Sequence, residues 1–417
     1  MLDRIRRRVV VTGLGVVAAN GIGKEAFWYA TGKGDSGIKP IQRFSTEDLP
    51  IQVAGEVKHF EVEQYLDRKL ANRTDRMTHF ALVAIEEALQ DAKLSLDQQD
   101  PRRVGAVIAN SIGGIGFAME QVAALYQRSP RVMSAFTAIA WLHVANVGQA
   151  SLRYGLQGYC KTPVNDTVGG LDAMGIAFTA IHRGAADVII AGGCEALLHP
   201  YILRILGQSD YCITGSDAHA YRPFDRRARG LLLAEGAGIC ILEDYEYARQ
   251  RGATIYGEIV GYGQTNDACG PYGVPMDGKL YARAMRLAMQ EADIVPEDIA
   301  YFSLDGRALP PFDASEFDAL SRTFGTGLER LPVSIPRTMQ GHSYAATGAL
   351  DTITTLLALQ HNLVPPTINC EELDPRYELN LVRNEARPLV YRGVTQSALI
   401  GGRGTGGTNV VLAIRKL

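Results

Sequence analysis

Charge of either sign is never in excess in this chain: 42 Lys and Arg stand against 45 Asp and Glu, a formal net charge of −3. That argues against the broad basic field of a nucleic-acid binder, and no block of like charge marks a disordered tail. The six cysteines, at 160, 194, 212, 240, 269 and 370, form no CxxC pair. A zinc site and a disulfide framework are therefore not expected, and scattered reduced thiols fit a cytoplasmic protein. The eight histidines are dispersed without an HExxH, so nothing calls for a metal. No stretch of 18 apolar residues free of charge occurs, and no membrane span is expected.

What is present is length and hydrophobicity. With 417 residues, 47% of them hydrophobic, the chain can bury a large core and form two structural units. The N-terminal stretch, MLDRIRRRVVVTGLGVVAANG, has the basic start and apolar run of a signal peptide. Thr12, Gly13 and Gly15 interrupt that run, and Val9 to Thr12 is β-branched throughout. It reads as a buried first strand instead.

Periodicity alternates from there. Residues 76–94 read as an amphipathic helix, 103–111 as a buried strand, 171–184 as a helix closed by Gly184, and 186–196 as another buried strand. The order then restarts with a strand at 254–263, a helix at 279–294, a strand at 299–308, a helix at 347–362 and a closing strand pair at 396–417. The prediction is an α/β fold of two halves, 1–253 and 254–417, with parallel sheet covered by helices. The duplication rests on element order, because the two halves are not obviously alike in sequence.

Two glycine motifs are lookalikes. GLGVVA at 13–18 has the dinucleotide-binding spacing after a strand, but no acidic residue closes a second strand about 20 positions on. GGRGTGG at 401–407 resembles a phosphate loop, yet no GK[ST] follows. No cofactor is called for.

The turn in VNDTVGGLDAMGIAFTAIHRG, 164–184, has the strand, sharp Gly-Gly turn and helix that usually present a nucleophile. It offers only Thr167, flanked by Asp166 and Val168. His342, in TMQGHSYAATG, sits between a glycine and a serine ahead of a helix of small residues. Taken alone it is either a structural loop histidine or a functional one.

RRVVVTGLGVVAANG, RPFDRRARGLLLAEGAGICILE (222–243), DGRALPPFDASEFDAL (305–320), QGHSYAATGALD (340–351) and GTGGTN (404–409) fall in the order found in β-ketoacyl-acyl carrier protein synthases. The chain resembles that family over its whole length. The resemblance implies the thiolase-like fold, two related α/β halves in a five-layered α-β-α-β-α arrangement, and an obligate dimer. In the family a cysteine at a helix N-terminus takes the acyl chain as a thiolate. Two histidines then stabilise the enolate formed by decarboxylation.

Here the cysteine position falls on Thr167 and the first histidine on Asp305, while the second is kept as His342. The usual lysine before the second histidine is Arg337. Glu316 is kept, so a Glu316–Arg337 ion pair is expected. The gate-loop phenylalanine is Thr405. A threonine hydroxyl needs a strong adjacent base to react, and Asp166 is a sequence neighbour that is expected to point away. A carboxylate at 305 places negative charge against an anionic malonyl unit, at a cost of about 1–4 kcal/mol for charges ~4 Å apart. It also removes a donor whose loss typically lowers rate about 100-fold or more. Thr167 is then expected to be a polar N-cap of the following helix.

One branch of the family lacks the cysteine: the ketosynthase β subunit, or chain length factor, of type II polyketide synthases. Many of its members carry Gln before AGGLDA, where this chain has TVGGLDA. The missing amide argues against a role in malonyl decarboxylation. The resemblance implies a heterodimer with a catalytic ketosynthase α subunit. An acyl carrier protein would present the phosphopantetheine-bound chain, and the product would be a polyketide. It also implies a tunnel lined by Ile115, Ala118 and Val122, spaced i, i+3 and i+7, although that spacing alone fits ordinary core residues equally. Arg226, Arg227 and Arg229 either contact the carrier protein or pair with acids inside their own turn. The rival readings are a self-sufficient acyltransferase or condensing enzyme using Thr167 or Cys160, and a homodimeric scaffold.

Overall fold

The computed structural model describes residues 6–270, 273, 277–391 and 396–417. The first five residues of the signal-like stretch lie outside them; the rest of its apolar run is strand β1, Val9–Ala18, buried along its whole length. With it, β2 (Val104–Ala109), β3 (Cys160–Lys161), β4 (Val188–Glu195) and β5 (Gly236–Asp244) form the first half of the sheet. Strands β6 (Gly257–Asn266), β7 (Ile299–Ser303), β8 (Val333–Ser334), β9 (Ser397–Arg403) and β10 (Thr408–Arg415) form the second. The order across the sheet is β8-β7-β9-β10-β6-β1-β5-β4-β2-β3. Each half repeats the other in sequence order, and the two join where Val9–Val11 pair antiparallel with Gly257–Ile259.

The expectation of parallel sheet holds only toward the outer edges. β2 runs parallel to β3 and β4, and β7 parallel to β8 and β9. The inner pairs, β4 with β5, β5 with β1, β9 with β10 and β10 with β6, are antiparallel. The long excursion from Glu195 to Gly236 and the tight turn at 404–407 bring those strands back in the opposite sense.

Helices α1 (Arg76–Asp91), α2 (Ile115–Gln127), α3 (Gly169–His182), α4 (Lys279–Glu291), α5 (Pro310–Phe324) and α6 (Thr347–His361) cover the sheet. Helices α3 and α6 pack against each other and between the two halves, α3 touching β4 and β10 and α6 touching β5 and β9. One hydrophobic core surrounds this central pair, a second lies under α1 and a third under α4 and α5. The layers therefore run α-β-α-β-α, as the thiolase-like fold requires. Gly184 ends α3 as anticipated: its φ is 77°, and the Ala185 N–H bonds the Ala180 carbonyl at 2.9 Å.

The GLGVVA glycines serve packing. A Cβ at Gly13 would lie 2.2 Å from the Ala88 carbonyl oxygen, and one at Gly15 only 1.8 Å from that of Ala84. Helix α1 rides directly on β1. In the second half, a Cβ at Gly261 or Gly263 of β6 would lie 2.0 or 2.1 Å from the carbonyl oxygens of Ala288 and Ala284 of α4. Asp91 accepts the Leu14 N–H at 2.9 Å, and Glu291 accepts the Tyr262 N–H at the same distance. The halves thus share a GxG strand under a helix with alanines at 84, 88, 92 and 284, 288, 292, followed by the same acid-to-backbone bond.

Candidate functional site

The pseudo-equivalent central helices bring the site together. Thr167 sits in a single 3₁₀ turn, Asp166–Val168, just ahead of α3. Asp305, Gly306 and Arg307 follow β7, Arg337 lies on a turn at Pro336–Met339, His342 precedes α6, and Arg403 ends β9. Thr167, Asp305 and His342 do converge, all buried. What fills the space between them is arginine.

Thr167 does not cap the helix: α3 has no side-chain cap. Its hydroxyl donates instead to the Arg403 carbonyl at 2.7 Å, and Arg307 Nη2 donates to Thr167 Oγ1 at 2.5 Å. The same Nη2 also bonds the Arg403 carbonyl. Arg307 Nε reaches Asp305 Oδ2 at 3.0 Å, and Arg337 Nη1 reaches Asp305 Oδ1 at 2.9 Å. Arg337 turns its other nitrogen on Asp351. Buried, the Asp305 carboxyl would be pushed up, but the Arg307 and Arg337 charges outweigh that and hold it below its ordinary range. Asp305 is therefore an ionised, fully compensated carboxylate, and the like-charge repulsion expected of it is largely cancelled by two guanidinium groups.

The expected Glu316–Arg337 ion pair does not form. Glu316 instead accepts the backbone N–H groups of Asp305 and Gly306, both at 2.9 Å. These N–H groups follow the end of β7 at Ser303, short of the anticipated 308. Burial and the nearby Asp305 charge push the Glu316 carboxyl up to about 7. His342 is held neutral: burial first, then Arg337 and Arg307, push it well below the ordinary histidine range. Its Nδ1 accepts the Tyr344 N–H at 3.2 Å, which leaves the proton on Nε2.

Asp166, expected to point away from Thr167, meets it. Its Oδ2 lies 3.2 Å from Thr167 Oγ1 and also accepts the Thr405 N–H at 2.7 Å. Asp166 holds a positive φ of 46°, a conformation uncommon outside glycine. Thr405 itself is exposed on the turn between β9 and β10, where Gly406 and Gly407 have φ of 84° and 87°. Cys160 packs with the core on the other face of the first half-sheet from α3. In the RPFDRRARG turn, Arg227 pairs with Asp225 at 3.0 Å.

Ile115, Ala118 and Val122 share one face of α2: Ala118 is buried, Ile115 partly so and Val122 exposed. The opposite face, with Phe117, Glu120 and Gln121, lines a separate cleft of about 560 Å³. Exposed apolar side chains lie at the end of the helix and after it: Tyr126 of α2 is 84% exposed and Leu152 81%, and Ile139, Trp141 and Val144, between them in sequence, are also exposed.

Sequence reasoning passes over Arg307, Asp351 and Arg403. The signal available is an arginine inside each of two glycine-bearing motifs, LDGRALP and IGGRGTGG, both next to apolar strands. Chemically, the arrangement holds no thiol, commits the threonine proton to a carbonyl and its lone pair to a cation, and keeps one neutral imidazole.

The comparisons with known proteins bear on the whole chain. The beta-ketoacyl synthase N-terminal domain family matches residues 6–248, and the C-terminal domain family matches 256–371. The tetracenomycin polyketide synthase ketoacyl synthase beta subunit of Streptomyces glaucescens is 40% identical over 410 residues, 98% of each chain. The 3-oxoacyl-[acyl-carrier-protein] synthase 2 of Staphylococcus aureus strain COL is 36% identical over 411 residues, again 98% of each. Among solved structures, the ishigamide ketosynthase/chain length factor matches with a TM-score of 0.90 and 29% identity, covering 99% of this chain and all of that one. A type II polyketide synthase ketosynthase bound to its acyl-carrier protein and a hexaketide matches with a TM-score of 0.89 and 30% identity over the same shares. Two half-sheets built on one plan, two central helices meeting at a buried turn, and these matches end to end lead to one conclusion: the chain belongs to the beta-ketoacyl synthase family.

Proposed function

We propose that this chain is the non-catalytic, chain-length-determining subunit of a type II polyketide synthase ketosynthase heterodimer. Its partner is a cysteine-bearing ketosynthase, and an acyl carrier protein delivers the growing chain. One observation carries the reading: where the family holds its acyl-accepting cysteine, Thr167 is tied to the Arg403 carbonyl and the Arg307 guanidinium. The 40% identity to a ketoacyl synthase beta subunit supports it, and so do the exposed apolar side chains between Tyr126 and Leu152, which a partner's surface would cover. Ile115, Ala118 and Val122 stand on the α2 face that the partner would close into a tunnel.

A self-sufficient acyltransferase has one observation behind it, the 3.2 Å approach of Asp166 to Thr167. Against it, that carboxylate oxygen already accepts the Thr405 N–H at 2.7 Å, and the threonine proton points at a carbonyl. The test purifies the chain alone and with its cysteine-bearing partner, and supplies malonyl-loaded carrier protein. The chain alone is expected to make no product, the pair to make polyketide, and Thr167→Ala in the pair to keep turnover within about twofold. Product from the chain alone that Thr167→Ala abolishes would overturn the reading.

A further inference from the structure

We infer that Arg307 is a latch that keeps this chain's own acyl pocket shut, so that in the assembled pair only the partner's thiol can be reached. The inference rests on the non-catalytic reading above and adds a residue and a mechanism to it.

The turn 404–407 between β9 and β10, exposed at Thr405, packs on residues 165–168 and would be the mouth through which Thr167 is reached. Two anchors hold it from the protein side. At its first strand, the Arg403 carbonyl receives both the Thr167 hydroxyl and Arg307 Nη2. At its tip, the Thr405 N–H is held by Asp166. Arg307 is only 2% exposed, so its guanidinium occupies the interior of the site and does not reach outward. Four contacts fix it there: Asp305 on Nε, Thr167 and the Arg403 carbonyl on Nη2, and the face of Phe312 with the guanidinium carbon 4.8 Å from the ring centroid. Asp305 is fixed in turn by Arg337, and Arg337 by Asp351 of α6. A line of alternating charges thus runs from a central helix to the mouth. Such a line moves only as a unit, because withdrawing one member leaves another charge buried without its partner.

A filler with no bearing on access would satisfy the same volume with an apolar side chain. The Thr167–Arg307–carbonyl triangle does more: it ties the turn where an acyl group would attach to the strand that leads into the mouth. Opening that mouth requires breaking the Arg307 contacts as well as the Asp166–Thr405 bond.

The experiment puts a reporter thiol at the turn. In the heterodimer whose partner cysteine has been changed to alanine, Thr167→Cys is compared with Thr167→Cys/Arg307→Met and Thr167→Cys/Arg307→Lys for alkylation by iodoacetamide, followed by peptide mass. The thiolate sulfur displaces iodide, and its proton goes to buffer. Arg307 beside the new thiol favours the reactive thiolate, so slow labelling of the single variant reports access and not low intrinsic reactivity. The introduced thiol of the single variant is expected to label as slowly as buried Cys240, and that of the Arg307→Met double variant at least tenfold faster at unchanged heterodimer content. The Arg307→Lys double variant is expected to fall with the fast one, since a single ammonium nitrogen cannot stand both where Nε meets Asp305 and where Nη2 meets Thr167 and the carbonyl. Equal labelling of single and double variants overturns the latch. Should the double variants not assemble, hydrogen exchange at the Thr405 amide in Arg307→Met alone gives the same decision: faster exchange supports the latch, unchanged exchange refutes it. A base-labile acyl ester on wild-type Thr167 would instead refute the non-catalytic reading, whatever the thiol labelling shows.

Discussion

Thr167 and Asp305 can be read from the sequence as replacements; what they do cannot. Asp305 looks like a bare carboxylate in a malonyl site until Arg307 and Arg337 are placed on its two oxygens, 3.0 and 2.9 Å away. The expected partner of Arg337, Glu316, is absorbed by two backbone N–H groups, a demand that arises only once β7 ends and so leaves no trace in residue spacing. Because Asp351 lies 1% exposed against Arg337, removing its charge leaves a buried guanidinium half-paired. Asp351→Asn is expected to destabilise the chain by about 3–5 kcal/mol, read as a lowered urea midpoint. A second residue gives a pH test. Glu195, at the end of β4, accepts the Ser111 N–H at 2.7 Å, and burial pushes its carboxyl up to about 8. The folded chain therefore keeps a proton that the unfolded chain has already released above the ordinary glutamate value, so this group's contribution falls as pH rises from about 4.5 to about 8. Glu195→Gln is expected to flatten that part of the decline in urea midpoint between pH 5 and pH 8.5; an identical decline in the variant would contradict the assignment.

At the scale of elements, strands and helices follow their hydrophobic periods closely. Helix α3 and strands β2 and β4 start or stop within two residues of where periodicity places them. The glycines are harder to read. GLGVVA carries dinucleotide spacing, yet its glycines exist because α1 lies on β1 with no room for a side chain. The duplication is legible as element order but not as sequence, because what repeats is a contact: GxG under alanines four apart, spread over about 75 residues in the first half and 30 in the second. The contact predicts sharply different outcomes for one substitution type. Gly15→Ala and Gly263→Ala each drive a methyl into a helix carbonyl, at 1.8 and 2.1 Å, and are expected to cost about 3 kcal/mol or more as strand and helix separate. Gly148→Ala, in the helix Ala145–Tyr154 with nothing within 4 Å of the added methyl, is expected to stabilise by up to about 1 kcal/mol through helix propensity. Thermal unfolding of the three variants separates these cases.

For the whole molecule, the parts that remain single in this chain are the informative ones. Tyr126, Ile139, Trp141, Val144 and Leu152 face outward, and the proposed tunnel positions Ile115, Ala118 and Val122 precede them. A partner's surface would bury both. The spacing of Ile115, Ala118 and Val122 fits ordinary core residues as well as a tunnel wall, and which face would meet a partner is a property of the assembly. If α2 lines the shared tunnel, Ala118→Phe narrows it and shifts the product of the pair toward shorter chains by one or more extension units, read by mass of the released polyketide. Unchanged product length would remove α2 from the tunnel. The most direct measurement of the central claim is the intact mass of both subunits after the heterodimer is loaded from acyl-charged carrier protein. An acyl adduct is expected on the partner alone, lost when the partner's cysteine is replaced. An adduct on this chain that maps to Thr167 would contradict the non-catalytic role.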